Sequence, residues 1–300
     1  MDFLLGRSQN DASEDGPSTI VGSEGRIGTL LRDLGQRREF KDMYIKRGDL
    51  IPPDAPGPVY ICTANDHLDA VVASCPDEKR EDLVFIQNGQ LEPFRQKHGL
   101  YETTQAVLWL ALPRVGGRPV DGVTPESPEG LSSVSGKWAQ ALAQRLERGN
   151  LKCTVYGAQR ELRRIMLERL VWTSSFMLLG SIHGGITVGE VSSKHREEVE
   201  DLIRELAAMC RFTLSVALKT GLEERLCAYS TQVEFLPTSL KEFEWTNGWF
   251  YKYSLMAGPR KVAGGATVDF PDSTPFHTEL LMLARDQGLI AQSDLDALKS

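Results

Sequence analysis

Cysteine is scarce and scattered. The five residues Cys62, Cys75, Cys153, Cys210 and Cys227 are odd in number and form no C-x-x-C pair, which excludes a disulfide framework and a cysteine-based zinc cluster. A basic excess is missing too. With 34 Lys and Arg against 41 Asp and Glu, a net charge of -7, the chain lacks the positive surface that a nucleic-acid protein held by phosphate contacts needs. No apolar run reaches the ~20 residues of a spanning helix. The strongest, residues 170–182, is interrupted by Thr173, Ser174, Ser175 and Ser181. The histidines His67, His98, His183, His195 and His277 show no metal-ligand spacing. There is no internal repeat, and Met1-Asp2-Phe3-Leu4-Leu5 lacks the basic start and long apolar core of a secretory signal. The expectation is an intracellular protein with reduced thiols, in the cytoplasm or in an organelle stroma or matrix, with neither nucleic acid nor membrane as partner.

What is present is patterning. At 300 residues and 41% hydrophobic composition the chain is long enough for two cores. Residues 1–17 are polar and aperiodic and read as a flexible leader. After them strands and helices alternate: Ser18-Thr19-Ile20-Val21, a helix with Ile27, Leu30, Leu31 and Leu34, then Met43-Tyr44-Ile45, Val59-Tyr60-Ile61-Cys62, a helix with Leu68, Val71 and Val72, and buried strands at 82–87 and 104–112. Such alternation predicts a parallel sheet covered on both faces. From Ser135 the period becomes helical, with helices expected at 137–148, 160–179, 190–220, 222–235, 241–256 and 274–288. The predicted class is an α/β Rossmann-like dinucleotide-binding domain at 18–149, followed by an all-α substrate or dimerisation domain at 150–300.

One cluster sits where chemistry is expected. Gly22-Ser23-Glu24-Gly25-Arg26-Ile27-Gly28 joins the first strand to the first helix, the context in which glycines let a pyrophosphate approach backbone at a helix N-terminus. The spacing is G-x-x-G-x-x-G, and a plain packing turn is the alternative. Gly22, Ser23, Gly25, Arg26 and Ile27 are therefore candidate cofactor contacts. Lys46 and Arg47, at the end of the second strand, suit a 2′-phosphate and so NADP(H), whereas nearby Asp49 suits a free 2′-hydroxyl. A solvated basic turn explains the pair equally well. Ser181-Ile182-His183-Gly184-Gly185 lacks a nucleophile-elbow context and reads as a loop. Trp245, Trp249, Phe250, Tyr251 and Tyr253 recur at helical intervals and read as core or subunit contact.

In this order of features, VYICTANDHLDAV at 59–71, DLVFIQNG at 82–89, LRRIMLERLVWTSSFML at 162–178, KEFEWTNGWF at 241–250 and STPFHTELL at 273–281, the chain resembles the ketopantoate reductase family of the 6-phosphogluconate dehydrogenase-like superfamily. The resemblance implies an NADPH-binding Rossmann domain, a helical domain closing over it, and reduction of a 2-oxo acid or related carbonyl in the cleft. It assigns Asn88 and Glu242 to the active site, with Asn88 and Thr63 also beside the cofactor. The family's two lysines fall on Thr63 and Arg169, and its helix asparagines on Thr173 and Met177. Arginine can orient a carboxylate but is a poor proton donor, so Arg169 is expected to hold substrate rather than protonate it. Pairing of Arg169 with Glu168 or Glu161, a solvated face at Glu242 and Glu244, and a turn cap at Asn88 are the structural alternatives. A catalytically inactive relative, binding no cofactor or serving as a nucleotide sensor or as a protein-interaction module through its helical half, is the second functional reading. A homodimer through the same half fits either.

Overall fold

A computed structural model describes residues 14–46 and 48–299, and Arg47 and most of the leader lie outside the described residues. The chain runs β1 (Thr19–Val21), α1 (Arg26–Gln36), β2 (Met43–Ile45), β3 (Val59–Ile61), α2 (Leu68–Ser74), β4 (Leu83–Phe85), α3 (Glu92–Lys97), β5 (Thr104–Val107), β6 (Ser133–Ser135), α4 (Ala139–Glu147) and β7 (Thr154–Tyr156). These strands form one seven-stranded sheet in the order β2-β1-β3-β4-β5-β6-β7, parallel except where β6 runs against β5. Alternation along three-residue strands builds its two faces. Ile20, Tyr60 and Val84 pack with Leu31 and Leu34 of α1 and Leu142 and Leu146 of α4. Val59, Ile61, Leu83 and Phe85 pack on the other side with Leu68, Val71 and Val72 of α2.

The sheet runs beyond Gly149-Asn150, where the expected domain boundary stood. The SVS and TVY segments of β6 and β7 lie where helical spacing dominates the sequence, yet β7 pairs with β6 in register Ser133 to Thr154. The remainder is α5 (Gln159–Ile182), α6 (Val188–Lys194), α7 (Arg196–Thr213), α8 (Leu222–Gln232), α9 (Asn247–Ser254), a hairpin of β8 (Gly258–Lys261) and β9 (Thr267–Phe270), α10 (Pro275–Asp286) and α11 (Gln292–Ala297). The expected helix at 190–220 is broken at His195, and that at 241–256 begins as a 3-10 turn, Phe243–Trp245, because Glu242 takes a left-handed φ of 51°. By length and composition α5 could cross a membrane, but 83% of its most apolar stretch is buried inside the protein. It is the spine of the helical core, where Leu170, Val171, Trp172, Phe176 and Leu179 meet α7, α8 and α10.

The leader also needs correction where it is described. Asp15 is buried and ion-paired to Arg145 of α4 at 2.9 Å, and Arg145 reaches Asp42 at 3.0 Å, so the chain just before β1 is pinned rather than free.

Candidate active site

Strand order places a crevice between β1 and β3. The chain leaves β1 toward β2 on one side and returns to β3 on the other, so the turns after the two strands diverge at a topological switch point, where open α/β sheets take ligands. The turn after β1 is shaped by glycine for two distinct reasons. Gly22 has φ +81° and lies so close to the chain after β3 that a Cβ would sit 3.1 Å from the Cys62 carbonyl. Gly28, inside α1, would place a Cβ 2.2 Å from the Gly22 carbonyl oxygen, so only glycine lets the helix lie this close to the turn. The N-cap of α1 is Gly25, with no side chain capping the helix and no acid in its first turn. Its first amides are thus left to an external acceptor.

That crevice holds a cavity of about 690 Å³ whose walls include Gly22, Gly25, Lys46, Asp49, Thr63 and His67. A second cavity of about 160 Å³ shares Cys62 and Thr63 with it and is completed by Ile27, Asn65, Asn88 and Glu242. Thr63 Oγ1 and Asn65 Oδ1 are buried without a hydrogen-bond partner among the described residues. Buried polar atoms are rarely left so, and these two mark a place for a polar ligand or water. Cys62 is inert by contrast, since burial pushes its thiol up to about 12.

Glu242 comes from the helical half and closes the smaller cavity. Its Oε1 accepts from the Asn65 backbone N–H at 3.1 Å, while Asn65 Nδ2 donates to the Asn88 carbonyl at 2.9 Å. The contact is held in register next door, where Gln90 N–H donates to the Trp245 carbonyl at 2.8 Å and Gly89 leaves no room for a Cβ, which would lie 2.7 Å from Trp245. Half-buried Glu242 has its carboxyl raised above the usual range, chiefly by burial; the Asn65 N–H opposes this and Asp66 adds to it.

The structure thus brings together Gly22, Gly25, Ile27, Lys46, Thr63, Asn88 and Glu242. Ser23 stays on the turn, its carbonyl accepting from Thr29 Oγ1 at 3.2 Å. Arg26 does not enter the crevice, because its Nη1 donates to the Leu112 carbonyl at 3.2 Å and the side chain lines a different depression beside Arg37 and Arg118. Glu24 is exposed and is not part of either cavity wall. Arg169 departs most. It is 8% exposed, lines neither cavity, and its guanidinium lies over Trp172 at 4.5 Å, Trp109 at 4.7 Å and Tyr229 at 5.6 Å. Its helix face turns it into the aromatic core, where cation–π attraction offsets part of the burial cost. Neither carboxylate weighed for it is its partner, and Glu168 instead holds Arg225 at 2.7 Å. Asn65 was not expected at the site, and Gln87 was expected only as part of the DLVFIQNG segment, yet Gln87 Nε2 spans the Ile61 and Thr63 carbonyls at 2.9 and 3.1 Å and so fixes the turn after β3. The signal was position, with Gln87 ending the expected strand at 82–87 and Asn65 three residues past the one that ends at Cys62.

No protein-family pattern matches the chain, and no curated protein matches it by sequence. Among solved structures it is similar to D-mandelate dehydrogenase in a ternary complex with NADH and anilino(oxo)acetate, at TM-score 0.62 and 14% identity over 94% of this chain and 99% of that one. It is also similar to the PanE/ApbA family ketopantoate reductase of Ralstonia eutropha JMP134, at TM-score 0.60 and 14% identity over 90% and 99%. The dimeric ketopantoate reductase of Staphylococcus aureus aligns at TM-score 0.55 and 15% identity over 91% and 100%. These likenesses establish the fold, a Rossmann-type sheet followed by a helical portion, along nearly the whole length of each chain.

Proposed function

We propose that this chain is a nicotinamide-dependent oxidoreductase that reduces a 2-oxo acid or related carbonyl, with NADPH as the preferred cofactor. The observation that carries the reading is a pair of adjoining cavities that share Cys62 and Thr63, one at the glycine cradle and the other small, polar and closed by Glu242. The residues fit a dinucleotide. Gly22, Gly25 and the uncapped amides of α1 suit a pyrophosphate, Lys46 a 2′-phosphate, and the unpartnered Thr63 Oγ1 and Asn65 Oδ1 a polar group at the reacting end. When bound, a reduced nicotinamide supplies hydride. Asn88 and Thr63 orient the carbonyl, Glu242 holds the proton that the product hydroxyl needs, and the close packing of Trp245 on Gly89 keeps Glu242 at the cavity wall. Solved structures of similar fold hold NADH, in one case with an oxoacetate derivative, which supports a nicotinamide cofactor and an oxo-acid substrate class, while the preference for NADPH rests on Lys46.

Calorimetric titration with NADPH and with NADH, followed by NADPH oxidation across a panel of 2-oxo acids that includes ketopantoate, tests the reading. Micromolar NADPH binding with turnover of at least one acid is the expected result. No binding of either nucleotide ends the proposal. Binding without turnover returns the chain to a nucleotide sensor, a reading favoured by the absence of lysine from the walls of the smaller cavity.

Two glycine variants separate cofactor contact from packing. Gly25→Ala adds a Cβ at ordinary contact distances, 3.4 Å from the Gly22 oxygen, so it should fold with stability within about 1 kcal/mol of wild type yet bind NADPH about tenfold more weakly. Gly28→Ala forces backbone apart and should cost about 1–3 kcal/mol in denaturant titration as well as affinity. Equal stability of the two variants would contradict the packing role of Gly28.

A further inference from the structure

Away from the crevice, three side chains that sequence spacing did not connect meet at the end of α5. His183 follows the last turn of α5, His195 joins α6 to α7, and Glu198 lies in the first turn of α7. His183 Nε2 is 2.8 Å and His195 Nδ1 3.3 Å from the same oxygen, Glu198 Oε2, and the two imidazoles stack with centroids 3.7 Å apart. We propose that His183, His195 and Glu198 form a binding site for a divalent first-row transition ion of the zinc class, with a coordination position left open.

The dimensions suit such an ion. Zinc bonds to imidazole nitrogen and carboxylate oxygen are about 2.0–2.2 Å, which sets tetrahedral ligand atoms about 3.4 Å apart. The three donor atoms here already lie within 4.8 Å of one another, two of the separations being 2.8 and 3.3 Å. The backbone beneath them is fixed. His183 N–H donates to the Leu179 carbonyl, His195 N–H to the Val191 carbonyl, and α6 begins in a capping box between Thr187 and Glu190. Little reorganisation is needed beyond rotation of the rings so that one nitrogen of each imidazole faces the ion. The flanking cations do not compete for the site. Lys194 is engaged by Glu190 at 2.8 Å and Arg196 by Glu200. His195 and Glu198 form part of the wall of a cavity of about 580 Å³ that also includes Lys194, Arg196, Glu197 and Asp201, so a water or small anion can reach the open position. Two histidines and one carboxylate around an open position are a donor set that holds zinc in hydrolytic sites. None of these residues lines either crevice cavity, so the site is separate from the proposed oxidoreductase chemistry.

Because its ligands come from the end of α5 and from the α6–α7 junction, an ion there ties these elements together and stabilises the folded chain by mass action. Chelator-treated full-length protein titrated with Zn2+ is expected to bind one ion per chain at micromolar strength and to melt higher with it. His183→Ala, His195→Ala and Glu198→Gln should each weaken binding at least about tenfold, comparable to the loss of a supporting group around a metal. The double variant His183→Ala/His195→Ala should lose the thermal shift, whereas His67→Ala should not. Co2+ bound to the wild-type protein adds a readout that needs no substitution, a visible spectrum of a four- or five-coordinate nitrogen and oxygen set. A stoichiometry below one, an octahedral aquo-type cobalt spectrum, or unchanged affinity in the double variant overturns the site.

Discussion

Replacing Arg145 by methionine is expected to cost about 3–5 kcal/mol of folding free energy, as seen when one partner of a buried ion pair is removed. The guanidinium has no solvent exposure and serves three segments at once. Its Nε donates to Asp15 at 2.9 Å, Nη1 to Ser18 Oγ at 2.8 Å and to Asp42 at 3.0 Å, and Nη2 to the Gly16 carbonyl at 2.7 Å, while its plane lies 5.4 Å from the ring of Tyr60. Both carboxylates are fully buried, so methionine fills the space but leaves Asp42 without a cation and Asp15 with Arg148 alone. α1 makes way for this arrangement. A Cβ on Gly35 would lie 2.3 Å from Asp42 Oδ2. Urea unfolding is the measurement. Arg145→Lys, which keeps the charge and loses the fork, should fall between wild type and methionine. Adding Asp42→Asn to Arg145→Met should recover about 1–3 kcal/mol, because the second substitution removes the charge that the first has stranded. A methionine variant within 1 kcal/mol of wild type would show that Arg148, already paired with Asp15, and the Ser18 donors to Asp42 are enough to hold the two carboxylates.

Which parts of the molecule were legible follows from how far apart their partners lie. The strand, glycine turn and helix at residues 19–36 were readable because their own residues carry the signal, an apolar β-branched run, glycines at the turn and apolar positions at helical spacing, and the alternation of short strands with helices located most of the sheet. β6 and β7 escaped because they follow the Gly/Pro loop, where helical spacing dominates the pattern, and the Arg145 network escaped because its partners stand 103 and 130 residues away. Arg169 shows the limit of a positional resemblance. A place on a helix does not state which way the side chain faces, and the rings that enclose it come from positions 109, 172 and 229. Glu242 shows the opposite case. The pattern around it read as continuous helix, yet its position in the crevice depends on a left-handed residue at the head of a 3-10 turn, a conformation that no period announces. The histidine and glutamate cluster was invisible for a simpler reason, that α5 and α7 are brought together only by the packing of their apolar faces.

The second large effect concerns Glu242, for which glutamine is expected to lower kcat about 100-fold or more in NADPH-dependent reduction, the range over which a positioned general acid acts. Reduction of a carbonyl creates an alkoxide that must be protonated, and the cavity wall offers few donors. Cys62 is held up to about 12 by burial, and Thr63, Asn65, Gln87 and Asn88 are amides or a hydroxyl. Glu242 is the carboxyl among them, and its raised pKa keeps a larger protonated fraction at a given pH than an ordinary glutamate would have. Arginine at position 169 cannot substitute, being enclosed by rings outside the cavity. Glutamine preserves the oxygen that accepts from Asn65 N–H, so the loop should stay in place. The sign of the pH effect follows. A carboxyl raised on folding contributes stability that is full below its unfolded value near 4.3 and is lost as pH rises through the folded value. At neutral pH the wild-type carboxylate therefore carries a burial cost that glutamine lacks. The variant should be at least as stable as wild type while far less active, and the fall in wild-type kcat/KM with rising pH should flatten. Loss of stability together with activity would make Glu242 a latch between the two halves of the chain, and full activity in the glutamine variant would move the proton source to bulk water.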